Sequence, residues 1–176
     1  MNKTKLNISI IPLIIIIAVV GVLGYYWIGG ELRMPSFGKD PEITRFEGFP
    51  TVMYTDQKID KQRRIITNQA ELDEFLMLMD SAGLLKLNTQ VDFEKYILLG
   101  VSTETEDKVG NSIKVKKAYE DRNANTMLIV LEESVRGETC EIEIDPNIAL
   151  DLVAISKTDA KIDFDRVKKV VECNLD

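Results

Sequence analysis

The sequence predicts an α+β protein: an N-terminal transmembrane helix, followed by one domain in which a mostly antiparallel sheet carries a single clear helix. Three features support this prediction: an uncharged apolar run near the N-terminus, one well-capped amphipathic segment, and a series of short strand-like segments around it. Strands that precede and follow one helix, without regular alternation, are typical of antiparallel α+β domains. The length of 176 residues allows one domain of ordinary size and an anchor.

The apolar run covers residues 8–28 and contains no charged side chain. A helix of that length spans about 30 Å, which matches the hydrocarbon thickness of a bilayer. Lys3 and Lys5 precede the run, and the aromatic residues 25–27 end it, which favours a cytoplasmic N-terminus and an extracytoplasmic remainder. A cleaved signal peptide is the alternative, but its apolar region is usually shorter and is followed by an A-x-A site. We therefore expect a single-pass anchor in the cell membrane.

The composition divides the chain into four parts. Residues 1–7 are expected to form a cytoplasmic tip, 8–28 the anchor, 29–45 a linker, and 46–176 the exported domain. The linker is predicted from residues that interrupt both helix and strand. These are Gly29, Gly30, Pro35, Gly38 and Pro41.

The helix of the exported domain is the best-defined element of the sequence. Asn68 and Glu71 form a capping-box pair at its start, and Gly83 is expected to end it. Between them, one face carries apolar residues at helical spacing, which predicts packing against a sheet. These residues are Leu72, Phe75, Leu76 and Met79.

Strands are predicted from short apolar or alternating segments. They cover residues 49–56, 62–68, 96–102, 112–119, 127–133, 140–144, 150–156 and 161–164. Residues 167–173 could form a strand or a short helix. The continuous apolar run at 127–131 predicts a central strand that is covered on both faces.

Charge and composition exclude several classes of function. Residues 31–176 carry 20 basic and 29 acidic side chains, and this acidic balance disfavours nucleic-acid binding. The chain has no histidine, which removes histidine-activated nucleophiles and the commonest zinc ligand. No phosphate-binding or dinucleotide-binding glycine motif is present. We therefore expect a protein that is not an enzyme and has no metal or other cofactor.

The segment 65–164 resembles the PrcB-like domain, the C-terminal domain of a bacterial protease-complex subunit and of many exported proteins. The resemblance depends on the order of elements and on three short stretches. These are VDFEKYILLGVS at 91–102, the glycine turn GNSIKV at 110–115, and DLVAISKTDAKIDF at 151–164. It implies a non-catalytic accessory module in the cell envelope that interacts with or stabilises another envelope protein.

The sequence departs from this family at the glycine turn, where the family usually has two adjacent glycines. Here Asn111 follows Gly110, and asparagine tolerates a positive φ better than most residues. An acidic segment with Glu104, Glu106 and Asp107 lies just before the turn. We predict that these five residues form the surface that binds a basic partner.

Cys140 and Cys173 are the only cysteines of the chain, and both fall in the predicted exported domain. Thiols in such compartments are usually oxidised, so we expect a disulfide between them. Two unpaired buried thiols are the alternative.

Two further acidic patterns have competing interpretations. Asp121, Asn123, Asn125 and Glu132 follow the spacing of a calcium-binding loop, but Thr126 replaces the required glycine, which favours an ordinary hairpin turn. Glu141, Glu143 and Asp145 alternate along a predicted strand and could bind a cation or a basic partner. The alternative is a solvated face, with Ile142 and Ile144 directed to the core.

Two other classes of function are open from the sequence. One is an envelope hydrolase that uses only carboxylates, and the other is a pilin-like structural subunit with an apolar N-terminal helix and a C-terminal disulfide. The missing histidine weakens the first, and the helix-breaking residues Gly29, Gly30 and Pro35 weaken the second.

Overall fold

A computed structural model describes residues 40–140 and 143–173. The described part contains these elements in chain order: β1 (Thr44–Arg45), β2 (Val52–Tyr54), β3 (Gln62–Ile66), α1 (Gln69–Met79), β4 (Tyr96–Ser102), β5 (Glu106–Lys108), β6 (Ser112–Asp121), β7 (Thr126–Arg136), β8 (Ile144–Ser156) and β9 (Lys161–Val171). The domain is thus mostly β-sheet with one helix, as predicted. The predicted anchor at 8–28 lies outside these residues, and no helix within them is long and apolar enough to cross a membrane.

The strands form two sheets, whereas the sequence predicted one. In the larger sheet, the order is β1-β8-β4-β3, and β2 and β5 also pair with β8. The smaller sheet has the order β6-β7-β9. Every pair is antiparallel except β7–β9, which is parallel, so the predicted mostly antiparallel arrangement is confirmed.

The larger sheet is the middle layer of the domain and is covered on both faces. On one face of β4, Leu99 belongs to the core cluster that includes Ile129 of the smaller sheet, and on the other face Leu98 belongs to the cluster that includes Phe75 of α1. Gly100 lies directly under the helix, where an added Cβ would come 2.9 Å from the Phe75 ring. The close approach of helix and sheet therefore requires glycine at this position.

Strands β4 and β8 are buried on both faces. The prediction that residues 127–131 are covered on both faces is wrong. In β7, Met127, Ile129 and Leu131 are buried, but Leu128 between them is exposed. β7 is the central strand of its sheet, but no described residues cover one face of that sheet. An apolar run can therefore come from an exposed apolar face as well as from burial on both sides.

Helix α1 begins as predicted but ends earlier. The Asn68 side chain accepts a hydrogen bond from the Glu71 backbone N–H at 3.0 Å, and the Glu71 carboxylate accepts from the Thr67 N–H at 2.6 Å. Hydrogen bonds to the carboxylate from the Thr67 N–H and the Thr67 hydroxyl hold the pKa of Glu71 below its ordinary value. Asp80 caps the C-terminus in place of Gly83, which adopts φ 70° in the following turn. The four apolar residues predicted to face the sheet are all buried.

A β-bulge in β6 joins the two sheets. Between Val115 and Lys117 the register shifts by one residue, which brings both Val115 and Ala118 to the buried face. The Val115 N–H donates to the Asp151 carboxylate of β8 at 2.8 Å, and the Val115 carbonyl accepts from Arg45. Burial raises the pKa of Asp151, although the hydrogen bond from the Val115 N–H and the positive charge of Arg45 act in the opposite direction.

The C-terminal strands differ from the predicted ones. β8 is one strand of 13 residues, whereas the sequence predicted separate strands at 140–144 and 150–156. Cys140 lies in a bend before it. β9 continues through residue 171, so that 161–164 and 167–171 are parts of one strand. The short β1 also falls within residues that the sequence assigned to the linker.

Candidate binding surface

The predicted acidic segment forms β5 and the residues before it. β5 pairs with the start of β8, so that Glu106 lies opposite Asn147 and Lys108 lies opposite Ile144. Glu104 and Asp107 are exposed, whereas Glu106 is half-buried. The segment is thus held against the sheet, and two of its three carboxylates are available at the surface.

Glu106 and Asn111 bind each other and belong to the structural framework. Asn111 is buried, its side-chain N–H donates to the Glu106 carboxylate, and its carbonyl oxygen accepts from the Arg136 N–H at 3.2 Å. Burial raises the pKa of Glu106, although the bond from Asn111 opposes the shift. These contacts make both side chains poor candidates for direct contact with a partner.

The turn between β5 and β6 requires only one glycine. Gly110 has φ 103°, a conformation that favours glycine, and an added Cβ would come 2.5 Å from the Arg136 side chain. Asn111 is not among the described residues with a positive φ. Its contribution to the turn therefore comes from its side-chain hydrogen bonds, and not from backbone tolerance.

The start of β8 adds exposed residues beside β5. Glu143, Ile144 and Asp145 are all exposed, and the Glu143 carbonyl accepts from the Val109 N–H at 3.0 Å. Ile144 is 80% exposed, so the prediction that it points to the core is wrong. Of the other residues in that pattern, Glu141 and Ile142 lie outside the described part of the chain.

These residues lie in neighbouring segments, namely β5, the residues before it and the start of β8, and are here together called the acidic edge. It consists of Glu104, Asp107, Glu143, Ile144 and Asp145. One exposed cation, Lys108, lies opposite Ile144, so negative charge is in excess at the edge. An exposed isoleucine beside these carboxylates could supply apolar contact area to a partner, while the carboxylates supply charge.

A second charged cluster lies at the end of the smaller sheet and centres on Glu133. Only 5% of Glu133 is exposed, although it follows Met127, Ile129 and Leu131 on the inward face of β7. Its carboxylate lies 3.5 Å from the Lys61 ammonium and 3.3 Å from the Arg166 guanidinium. Burial acts to raise the pKa of Glu133, but these two cations outweigh it and hold the pKa below its ordinary value.

Arg63 lies near the same cluster and is half-buried. It donates to the Ser102 carbonyl at 2.7 Å, and burial lowers its pKa from the ordinary value of a guanidinium. The Glu133 charge opposes that shift. The ion pairs of Glu133 link β7 to Arg166 of β9 and to Lys61, the residue before β3, which gives the cluster a structural role.

The residues with calcium-loop spacing form a hairpin turn between β6 and β7. The Asp121 carboxylate accepts from the backbone N–H groups of Asn123 and Ala124, at 2.9 and 3.2 Å, and Asn125 has φ 50°. Glu132 lies farther along β7 and forms an ion pair with Lys116. Turn chemistry therefore accounts for the pattern. Within the described residues, no group of three or more His, Cys, Asp and Glu could hold a metal ion.

Cys140 and Cys173 form the predicted disulfide, with their Cα atoms 4.9 Å apart. The bond ties Cys173, the second residue after the end of β9, to the turn that follows β7. The same junction contains a hydrogen bond from the Gly137 N–H to the Val171 carbonyl at 2.9 Å, and another from Thr139 to Glu172 at 2.8 Å. The C-terminal end of β9 is thus fixed covalently and by hydrogen bonds.

A groove of about 500 Å³ lies between α1 and residues 83–90. Its walls include Leu72, Leu76 and Leu85, and Asp73 is the carboxylate in its lining.

Comparisons with known proteins gave no match. No family model matches the chain, and neither the curated proteins nor the solved structures include a match. The resemblance to the PrcB-like family therefore stays a prediction from short motifs.

Proposed function

We propose that this chain is a membrane-anchored, extracytoplasmic binding module that interacts with another envelope protein through the acidic edge. The observation that carries this proposal is the exposure of Ile144, 80% accessible at the start of β8, where its chain neighbours Glu143 and Asp145 and the nearby Asp107 are also exposed. An apolar side chain gives contact area, and surrounding charge selects and orients the partner. The expected partner surface combines lysine or arginine with an apolar contact.

The location outside the cytoplasm is supported by two independent features. The disulfide between Cys140 and Cys173 fits an oxidising compartment, and the uncharged run at 8–28 fits an anchor that follows two lysines. A partner on the same membrane would meet the domain at a high effective concentration, so a modest affinity would be sufficient. The resemblance to the PrcB-like family also favours an accessory role without catalysis.

The proposal is tested by photocrosslinking of the full chain in intact cells. A photoreactive amino acid in place of Ile144 should give a discrete adduct with another envelope protein. The matched control places the same probe at Leu84, which is 82% exposed and lies outside the acidic edge. We expect no equivalent adduct from that position.

Charge reversal then tests the role of the carboxylates. Glu104→Lys together with Asp107→Lys should reduce the Ile144 adduct by about tenfold, because two attractive contacts become repulsive. Glu106 is left unchanged because it binds Asn111 inside the domain. Glu47→Lys together with Glu94→Lys makes the same charge change at other exposed sites and should leave the adduct intact. Equal adducts from Ile144 and Leu84, or no effect of the first pair of reversals, would refute the assignment.

A further inference from the structure

β9 is the edge strand of the smaller sheet and is unusually exposed. Among the described elements it pairs with β7, and nine of its eleven residues are exposed. Val167 is 52% exposed, and Val170 and Val171 are also exposed. A strand of this length with an open edge can accept another strand through its backbone groups.

The direction of the backbone groups shows which residues face the open edge. The Lys161 N–H donates to the Asn125 carbonyl, and the Val171 carbonyl accepts from the Gly137 N–H, so odd-numbered residues bond towards β7. Even-numbered residues therefore direct their N–H and C=O groups outward. Consistent with this, the outward Arg166 N–H is bound by the neighbouring Asp165 carboxylate at 2.7 Å.

The charges of β9 change sign along the strand. After Lys161, which pairs with Asp163 at 3.1 Å, the first half carries Asp163 and Asp165, and the second half carries Arg166, Lys168 and Lys169. When such a strand meets a second copy in antiparallel orientation, each acidic half lies beside a basic half. A parallel arrangement would instead place like charges side by side. The sequence of the strand is therefore complementary to itself in one orientation.

We propose that β9 pairs antiparallel with β9 of a second copy of this chain, with Val167 opposite Val167 across a two-fold axis. This register places Asp165 opposite Lys169 twice on the outer face of the sheet. On the inner face it places Phe164 opposite Val170. Shifting the register by one pair in either direction replaces the Val167–Val167 contact on the two-fold axis with Arg166–Arg166 or Lys168–Lys168. In the first of these registers Asp163 would lie opposite Lys169, so substitution of Asp163 distinguishes it from the proposed register.

Two groups of β9 change their contacts in this pairing. The Asp165 carboxylate releases the Arg166 N–H and forms an ion pair with Lys169 of the second copy. The Arg166 N–H then donates to a backbone carbonyl of the incoming strand. Arg166 comes opposite Lys168 of the second copy, and this contact occurs twice in the dimer. Glu133 of its own chain lies 3.3 Å from Arg166 and reduces the repulsion, although it also pairs with Lys61. The two smaller sheets thereby join into one continuous sheet of six strands. This surface is separate from the acidic edge, so either proposal can fail alone.

A charge exchange tests the pairing. In light scattering of the full chain in detergent, Lys169→Glu or Asp165→Lys alone should raise the dimer dissociation constant about tenfold, since two ion pairs become two repulsions. A variant that carries both substitutions should dimerise as wild type does. An equimolar mixture of the two single variants should also form heterodimers. Asp163→Lys, which makes the same charge change opposite Val171, should have little effect.

A position-specific crosslink tests the register in intact cells. Val167→Cys should form a covalent dimer with a short bismaleimide, because the two thiols face each other across the axis. Asp163→Cys should not, because its two copies lie about 26 Å apart along the strands. A monomeric wild type, unchanged association in the single charge variants, or equal crosslinking from both cysteines would overturn the proposal.

Discussion

Replacing both Cys140 and Cys173 with serine is expected to lower the free energy of unfolding by about 3–4 kcal/mol. The two residues are 33 positions apart, and the bond removes the freedom of that loop from the unfolded chain. The closed loop contains all of β8 and β9, so its removal affects the middle layer as well as the edge strand. For a domain of this size, we expect the melting temperature to fall by about 10 °C.

The measurement is thermal unfolding of the full chain in detergent, monitored by the circular dichroism signal of the sheets. Wild-type protein with a reductant should melt near the temperature of the double variant. The double variant itself should not respond to reductant. Alkylation of both cysteines when thiols are trapped during isolation would contradict the presence of the bond. A double variant as stable as wild type would contradict its structural role.

Glu133→Gln is expected to lower the free energy of unfolding by about 2 kcal/mol at neutral pH. The side chain is buried, and an amide cannot balance the charges of Lys61 and Arg166, which would then face each other without an anion between them. The matched control is Glu132→Gln on the neighbouring position of β7. Its carboxylate forms a surface ion pair with Lys116, so a smaller loss is expected there.

The Glu133 effect should depend on pH. Because the folded state holds the pKa of Glu133 below its ordinary value, the carboxylate stabilises the fold above that ordinary value. This contribution is lost as the pH falls through the lowered pKa. Denaturant unfolding at several pH values should therefore show wild type and Glu133→Gln converging in stability as the pH falls below the ordinary pKa of a glutamate. A constant difference across this range would contradict the ion-pair role of Glu133.

Local sequence signals predicted the elements whose determinants are themselves local. The capping pair Asn68 and Glu71 and the apolar spacing after it define α1, and the β4 bounds of 96–102 agree with the structure. The hairpin at 121–126 follows from its Asp and Asn content. In each case the deciding contacts lie within a few residues of one another.

Elements that depend on distant contacts were missed. Pro146 and Asn147 are poor strand formers, so the sequence divided β8 in two. In the structure, the Pro146 carbonyl accepts from the Thr55 N–H, and Asn147 is buried between β2 and β5. The parallel pairing of β9 with β7 likewise depends on a crossover that no local pattern specifies.

The candidate site was predicted in part. Glu104 and Asp107 are exposed as expected, but the internal role of Glu106 depends on Asn111 reaching back to it. Ile144 was predicted to face the core because its side chain is apolar. Its exposure depends on which other strands cover the start of β8, and the sequence does not specify this. Glu133 could have been found from the sequence, since it continues the alternation of Met127, Ile129 and Leu131 on the buried face of β7.

The central claim, a binding domain that works outside the cytoplasm, is tested most directly by the accessibility of an introduced thiol in intact cells. Leu84→Cys places a cysteine at a side chain that is 82% exposed, far in sequence from the native disulfide. A membrane-impermeant maleimide should label this variant in intact cells as completely as after lysis, and wild type should remain unlabelled. Labelling of Leu84→Cys only after lysis would place the domain in the cytoplasm and contradict the account.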